Sequence, residues 1–299
     1  MKKIDIKNLN LKLQNQIRQD YLLNKNSWFG IGGKTAYFFS PNTKKDLQFF
    51  LKNFKFKKFI TIGSGSNILF RDKGFDGVVI KLGKEFSRVE ENNSQIIAGA
   101  ASLKNKVAEY AKSKGFSNFE FLSAIPGTIG GGVFMNAGCF GSEMADIIEK
   151  IFVINSKGEE ISIHRKDINF GYRESGLNEK YIITDIIFKK TEKTDSALIQ
   201  NKIDLLRKQK KINQPNNIKT GGSTFKNPSN HSEKAWQLIK KSGCDKFFFG
   251  NAKFSEHHCN FIDNTNLASS DEIEKLIKKT QDTVLKKSGI KLELEIKIV

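Results

Sequence analysis

The sequence predicts an α+β protein built from more than one subdomain, and three observations carry that expectation. Short apolar strands alternate with amphipathic helices from Thr43 onward. A stretch both glycine-dense and apolar interrupts them at 124–141, and a charged helical segment at 195–211 marks a shift of composition before further helices and strands. At 299 residues with 38% hydrophobic content, the chain is long enough to bury a full core without disulfide or metal staples.

The first predicted helix covers 43–54, capped by Thr43, with Asp46 in its first turn and Leu47, Phe50, Leu51 and Phe54 on one face. Phe59–Ile62 reads as a strand running into the turn Gly63-Ser-Gly-Ser-Asn67, and Val78–Leu82 and Ile96–Ala98 read as further strands. A helix is expected over 102–114, capped by Ser102, closed by Gly115, with Leu103, Val107 and Ala111 inward. Ile151–Asn155 and Glu160–His164 form a hairpin pattern, and 181–188 a strand. The charged helix at 195–211 places Leu198, Ile203 and Leu206 on a modest stripe, and another helix, carrying Trp236, Leu238 and Ile239, starts near Ser232. The clearest helix spans 269–287: Ser269 and Glu272 make a capping box, Ile273, Leu276, Ile277, Val284 and Leu285 a buried face, and Gly289 closes it. In the last residues Leu292, Leu294, Ile296 and Ile298 alternate with Glu293, Glu295 and Lys297.

Several function classes are excluded by pattern. Gly33-Lys34-Thr35 ends like a phosphate loop, but Trp28 stands where that motif needs glycine, and Tyr37-Phe38-Phe39 follows instead of a helix. The turn at 63–67 lacks the third glycine of a dinucleotide fingerprint, because Ile68 holds its place. Cys139, Cys244 and Cys259 form no C-x-x-C pair, and His257 and His258 are adjacent and diverge, so neither a disulfide framework nor a metal centre is indicated. Met1-Lys2-Lys3 opens like a leader, yet Asp5, Lys7, Asn8 and Asn10 leave it without an apolar core. No apolar run approaches the ~18 residues of a membrane span, so a reduced, cytoplasmic protein is expected. The net charge of +18 invites a nucleic-acid reading, but the lysines form no run of five or six, and a basic cleft for a phosphorylated substrate fits as well.

The 124–141 stretch reads Ala-Ile-Pro-Gly-Thr-Ile-Gly-Gly-Gly-Val-Phe-Met-Asn-Ala-Gly-Cys-Phe-Gly. A flexible linker would be padded with serine or charge; this one carries Ile125, Ile129, Val133, Phe134 and Met135, which belong in an interior. Its glycines therefore serve close approach of the main chain, and a cofactor lying against it is the expectation. In Thr220–Pro228, Gly221 and Gly222 free the backbone before Ser223 and Thr224, with Lys226 and Asn227 close behind. Such a loop can hold a phosphorylated ligand and move one proton, or it can be an ordinary turn before a helix.

In order and spacing, the 63–67 turn, the 125–138 stretch, Tyr172-Arg-Glu-Ser175, Gly222-Ser-Thr-Phe-Lys-Asn-Pro228 and Leu292-Glu-Leu-Glu-Ile296 resemble the UDP-N-acetylenolpyruvoylglucosamine reductase (MurB) family, from about Asn26 to Val299. The resemblance implies a two-subdomain FAD-binding domain of the vanillyl-alcohol oxidase (PCMH) type followed by an α+β substrate-binding domain. The boundaries would be 1–82, 83–194 and 195–299, the last strand being able to return to the FAD domain. It implies FAD contacts at Gly63, Ser64, Gly65, Ser66, Asn67, Pro126, Gly127, Thr128, Gly130, Gly131, Gly132, Asn136 and Gly138. FAD would be non-covalent, in keeping with the absence of any histidine before His164.

The same resemblance implies that NADPH reduces FAD and that hydride then passes to the terminal carbon of an enolpyruvyl group on a UDP-sugar. Arg173 and Glu295 would stabilise the enolate, and Ser223 would protonate the neighbouring carbon; a carbanion-like enolate is basic enough to take a proton from an alcohol. Tyr172, Lys226 and Asn227 would hold the nucleotide-sugar. A monomer without nucleic-acid or membrane partners is expected. Gly30 stands where many members carry arginine or lysine, Gly132 where alanine is common, and Asn251 where glycine is frequent, and the chain resembles the lid-less type. The rivals are a flavin oxidase of the same superfamily and a basic nucleic-acid-binding protein.

Overall fold

The computed structural model describes residues 11–56, 58–229 and 231–299; the leader-like Met1–Asn10 lies outside them. The chain divides into two compact units. One comprises the described residues of Met1–Asp20, Ala36–Gly63 and Asp76–Lys210, the other Tyr21–Thr35, Ser64–Phe75 and Lys211–Val299.

The first unit holds two sheets, each with its own apolar core. In the smaller, Ile17–Leu22, Lys34–Phe39, Phe75–Lys81 and Phe59–Ile62 lie in that order, the last two parallel. The helix Lys44–Asn53 covers it, burying Leu47, Phe50 and Leu51, with the Phe39 and Phe50 rings stacked at 3.9 Å. Its cap is the expected one: Thr43 Oγ1 accepts from the Asp46 N–H at 3.1 Å. In the larger, antiparallel sheet the order is Glu160–His164, Ile148–Ile154, Ile182–Phe188, Gln95–Gly99, Val89–Asn92. Val107 and Ala111 of one helix and Ile129 and Val133 of another share a core with Ile151, Val153 and Ile186 of this sheet.

Two details of the first unit correct the sequence reading. The second helix runs Lys104–Ser113, and Ser102 does not cap it; its hydroxyl donates to the Arg88 carbonyl at 2.9 Å. The first helical N–H, that of Lys104, is satisfied by the Gly127 carbonyl at 3.0 Å, a tertiary partner no local pattern announces, and Leu103 is left 38% exposed. In the helix Ser196–Asn213, Ile199 is buried with Ile203 and Leu206, whereas Leu198 is 62% exposed. A stripe of three weakly spaced residues does not fix the helix's rotation; the surface it packs on does.

The second unit has a core formed by Phe29, Leu69, Phe225, Leu238, Ile239, Ile273, Leu276, Ile277, Leu292 and Ile296 among others. Its long helix, Ser270–Ser288, carries both bonds of the capping box, Ser269 Oγ accepting from the Glu272 N–H at 3.2 Å and Glu272 Oε2 from the Ser269 N–H at 2.8 Å. Gly289 ends it in the left-handed conformation, and Leu285, expected inward, is 45% exposed. We expect Ser269→Ala to cost about 1 kcal/mol of unfolding free energy, read as a lowered denaturant midpoint at unchanged slope. In the terminal segment Leu292 and Ile296 are buried and Glu293 is exposed, but only Lys297–Ile298 form a regular ladder, parallel to Ile68–Leu69.

Candidate functional site

Within the first unit the two glycine-rich motifs meet. A Cβ on Gly63 would collide with Thr128 Oγ1, so only glycine lets the end of the Phe59–Ile62 strand lie against Thr128. Thr128 in turn caps a short helix, Ile129–Phe134, which the sequence reading did not foresee. The three consecutive glycines of that helix differ in use: Gly130 presses against Ala100, Gly132 against the Lys104 side chain, and Gly131 faces outward.

The Tyr172–Arg173 segment is fastened to this stretch. Asn136, fully buried, donates from Nδ2 to the Gly171 carbonyl at 2.9 Å and accepts at Oδ1 from the Ala145 N–H at 3.0 Å. Ser175 Oγ donates to the Phe134 carbonyl at 2.9 Å. Between these ties, Gly171 and Glu174 close a tight turn with Arg173 at its third position, φ +59°. A non-glycine residue held there stores backbone strain, which the flanking bonds oppose, and such strain concentrates at functional positions. The guanidinium donates to the Gly138 carbonyl at 2.9 Å and lies 5.1 Å from the Tyr172 ring centroid.

Near it sits a group of cations that sequence reasoning missed. Burial, and then the charges of Lys210 and Arg173, hold the Lys104 amine down to about 7, and burial likewise lowers Lys210. Burial pushes the Cys139 thiol up to about 11, so it is neutral at physiological pH.

In the second unit, Ser64–Asn67 continue the glycine turn. Gly65, at φ +77°, faces the Asn26 carbonyl so closely that any Cβ would strike it, and its own carbonyl accepts from the Trp28 N–H at 3.0 Å. Asn67 Nδ2 donates to the Glu295 carbonyl at 2.9 Å, and the Asn67 carbonyl accepts from the Lys297 N–H at 3.0 Å. Ser223 bridges to Phe261, and the Thr224 carbonyl accepts from the Glu295 N–H at 2.9 Å. The Lys226 N–H donates to the Glu293 carbonyl at 2.8 Å, so Ser223–Lys226 runs beside 293–295. A hydroxyl and a carboxylate far apart in the chain are thereby placed on neighbouring segments. Asn227 Oδ1 accepts from the Ala235 N–H at 3.0 Å, fixing the start of the helix Ala235–Lys241. The glycine at position 30 is covered by the Lys219 stem, whose Cδ would lie 3.3 Å from a Cβ there. A cation from another loop thus stands over Gly30.

A cofactor fits these residues. The Ser64 hydroxyl at the centre of the turn and the Thr220 hydroxyl beside Gly221 are buried without partners among the described residues, which calls for ligand oxygens or donors there.

Comparison with known proteins gives the same answer. Residues 35–164 match the FAD binding domain, and residues 214–299 match the UDP-N-acetylenolpyruvoylglucosamine reductase C-terminal domain. The UDP-N-acetylenolpyruvoylglucosamine reductase of Pelagibacter ubique (strain HTCC1062) is 45% identical over 298 residues, 99% of this chain and 98% of the relative. The chain belongs to the UDP-N-acetylenolpyruvoylglucosamine reductase family. The reductase of Rickettsia rickettsii (strain Sheila Smith) is 41% identical over 286 residues, 95% of this chain and 96% of its own length. The crystal structure of UDP-N-acetylenolpyruvylglucosamine reductase (MurB) from Thermus caldophilus superposes with a TM-score of 0.81 at 29% identity, covering 94% of this chain and 99% of that one. The reductase family's two-part FAD domain and α+β C-terminal domain are thus the architecture of this chain. Among the described residues no helix is long and apolar enough to cross a membrane.

Proposed function

We infer that the chain reduces the enolpyruvyl group of UDP-N-acetyl-3-O-(1-carboxyvinyl)-glucosamine to UDP-N-acetylmuramate with NADPH, through non-covalently bound FAD, in peptidoglycan precursor synthesis. The observation that carries this reading is the seating of Ser223 and Glu295 on adjacent segments, in a chain 45% identical to a reductase of that name. Bound FAD supplies the hydride acceptor for NADPH and the hydride donor for the terminal enolpyruvyl carbon. Gly63–Asn67, Pro126–Thr128, Gly130–Gly132, Asn136 and Gly138 hold that cofactor. Arg173 polarises the substrate carboxylate, Glu295 stabilises the enolate, and the Ser223 hydroxyl delivers its proton to the carbon bearing the carboxylate. Tyr172, Lys226 and Asn227 bind the nucleotide-sugar, whose diphosphate the basic balance of the chain favours.

The FAD domain comprises two subdomains, 1–82 and 83–194, followed by the substrate domain, 195–299; the apolar cores cross these limits, since Phe29, Ile31 and Leu69 pack with the C-terminal segment and Leu206 packs with the larger sheet. The enzyme acts in the cytoplasm as a monomer, independently of nucleic acid. An anaerobic titration tests the reading. NADPH should bleach a flavin spectrum of the purified protein, and the enolpyruvyl nucleotide-sugar should restore it. Oxygen consumption by a sugar or alcohol without NADPH would instead make it an oxidase, and a colourless protein with steeply salt-dependent DNA or RNA binding would remove the reading altogether.

A further inference from the structure

Lys104 is 4% exposed, yet its chain makes no ion pair among the described residues. Its Nζ donates to the Pro126 carbonyl at 2.7 Å, while its main-chain N–H donates to the next carbonyl, that of Gly127, at 3.0 Å. One residue therefore grips both carbonyls of the Pro126–Gly127 pair, the second of which sits at φ +102°, a conformation reserved for glycine. The stem that reaches them lies over Gly132: a Cβ there would be 2.6 Å from Lys104 Cε and 3.5 Å from Met144 Sδ. Gly132 and Lys104 are thus complementary, since an alanine at 132 would drive the ammonium off the Pro126 carbonyl.

The groups facing the amine from its surroundings are Lys210 of the helix Ser196–Asn213, Arg173 of the 171–174 turn and the neutral Cys139 thiol. None is an acid. Burying a cation among cations costs stability, and a sequence keeps such a group where it holds a needed geometry or awaits an anion.

We propose that Lys104 is a positioning residue for the cofactor: by clamping Pro126 and Gly127 over Gly132 it sets the cofactor-lining backbone, and its charge favours the anionic FAD. The inference rests on the reading of Pro126–Gly138 as cofactor-lining. A charge-assisted hydrogen bond is about twice as strong as a neutral one, so FAD is bound about tenfold more tightly with the amine protonated than without. The amine loses its proton around 7, which places the change within the accessible range.

Dissociation constants for FAD, from flavin fluorescence between pH 6 and 8.5, provide the test. Wild type should weaken about tenfold as pH rises through 7; Lys104→Met, which keeps the stem, should bind about tenfold more weakly at pH 6 and show a flat profile. Gly132→Ala should reproduce that loss, and Lys104→Ala with Gly132→Ala should be no worse than Lys104→Ala alone, because both changes break one clamp. With FAD held at the same multiple of each protein's own dissociation constant at each pH, so that the ligand stabilises both equally, the thermal midpoint of Lys104→Met should equal or exceed that of wild type at pH 6, where wild type carries the buried charge. Its advantage should shrink from pH 7 towards 10.5: the folded chain gives up the Lys104 proton at about 7 and the unfolded chain near 10.5, so wild-type stability rises across that window. Wild-type affinity and pH profile in Lys104→Met would overturn the proposal. Gly131→Val separates the two readings, because position 131 faces outward and a Cβ there meets only Thr128 Oγ1, at 3.4 Å. If Gly131→Val weakens FAD binding while Lys104→Met does not, the Lys104 inference alone falls; if Gly131→Val binds FAD normally, the cofactor-lining reading falls and the inference with it.

Discussion

Ser223→Ala should leave bleaching of the flavin by NADPH within a few-fold of wild type and slow its reoxidation by the enolpyruvyl substrate about 10²–10⁴-fold, the usual worth of a positioned proton donor. Only the second half-reaction needs a proton at carbon. The structure makes this a clean experiment, because the serine's segment is held by main-chain bonds that alanine keeps. The Thr224 N–H donates to the Asn260 carbonyl at 2.7 Å and the Thr224 carbonyl accepts from the Glu295 N–H at 2.9 Å. Asn260 adds a second clamp, accepting at Oδ1 from the Phe225 N–H at 3.0 Å and donating from Nδ2 to the Phe225 carbonyl at 2.9 Å. Anaerobic stopped-flow absorbance reads both halves separately. Equal slowing in the two would assign Ser223 a role other than proton donor.

Glu295→Gln should slow the same second half about 10²–10³-fold, the range found when one preorganised group is removed from a developing oxyanion. The side chains have the same shape, and the backbone of residue 295 stays tied through its N–H to Thr224 and through its carbonyl to Asn67 Nδ2 at 2.9 Å. Thermal stability should therefore stay within about 0.5 kcal/mol of wild type, so that a rate loss reports chemistry. A variant with unchanged reoxidation would return Glu295 to a strand residue facing solvent, the other reading its alternation permits.

What could be read along the chain was whatever rests on neighbours in sequence. The Thr43 cap, the Ser269–Glu272 box and the Gly289 stop each involve partners within a few residues, and all three stand as expected. Ser102 has the same chemistry as Thr43, yet its hydroxyl goes to Arg88 because the Gly127 carbonyl already serves the helix start. Leu198 and Ile199 are equivalent by composition, and only the packing surface chose between them.

The sequence by itself determined the α+β class and the glycine motifs, and through the family resemblance nominated the Ser223 hydroxyl, the Arg173 guanidinium and the Glu295 carboxylate, because motif spacing and hydrophobic period are properties of order along the chain. Tertiary structure decided which glycines press on protein and which face outward, how Arg173 is held in a left-handed turn by Asn136 and Ser175, and that Lys104 and Lys219 lie over Gly132 and Gly30. Those outcomes depend on volume and charge brought together from distant segments, and a lysine stem filling the space a glycine leaves has no signature until the chain has folded.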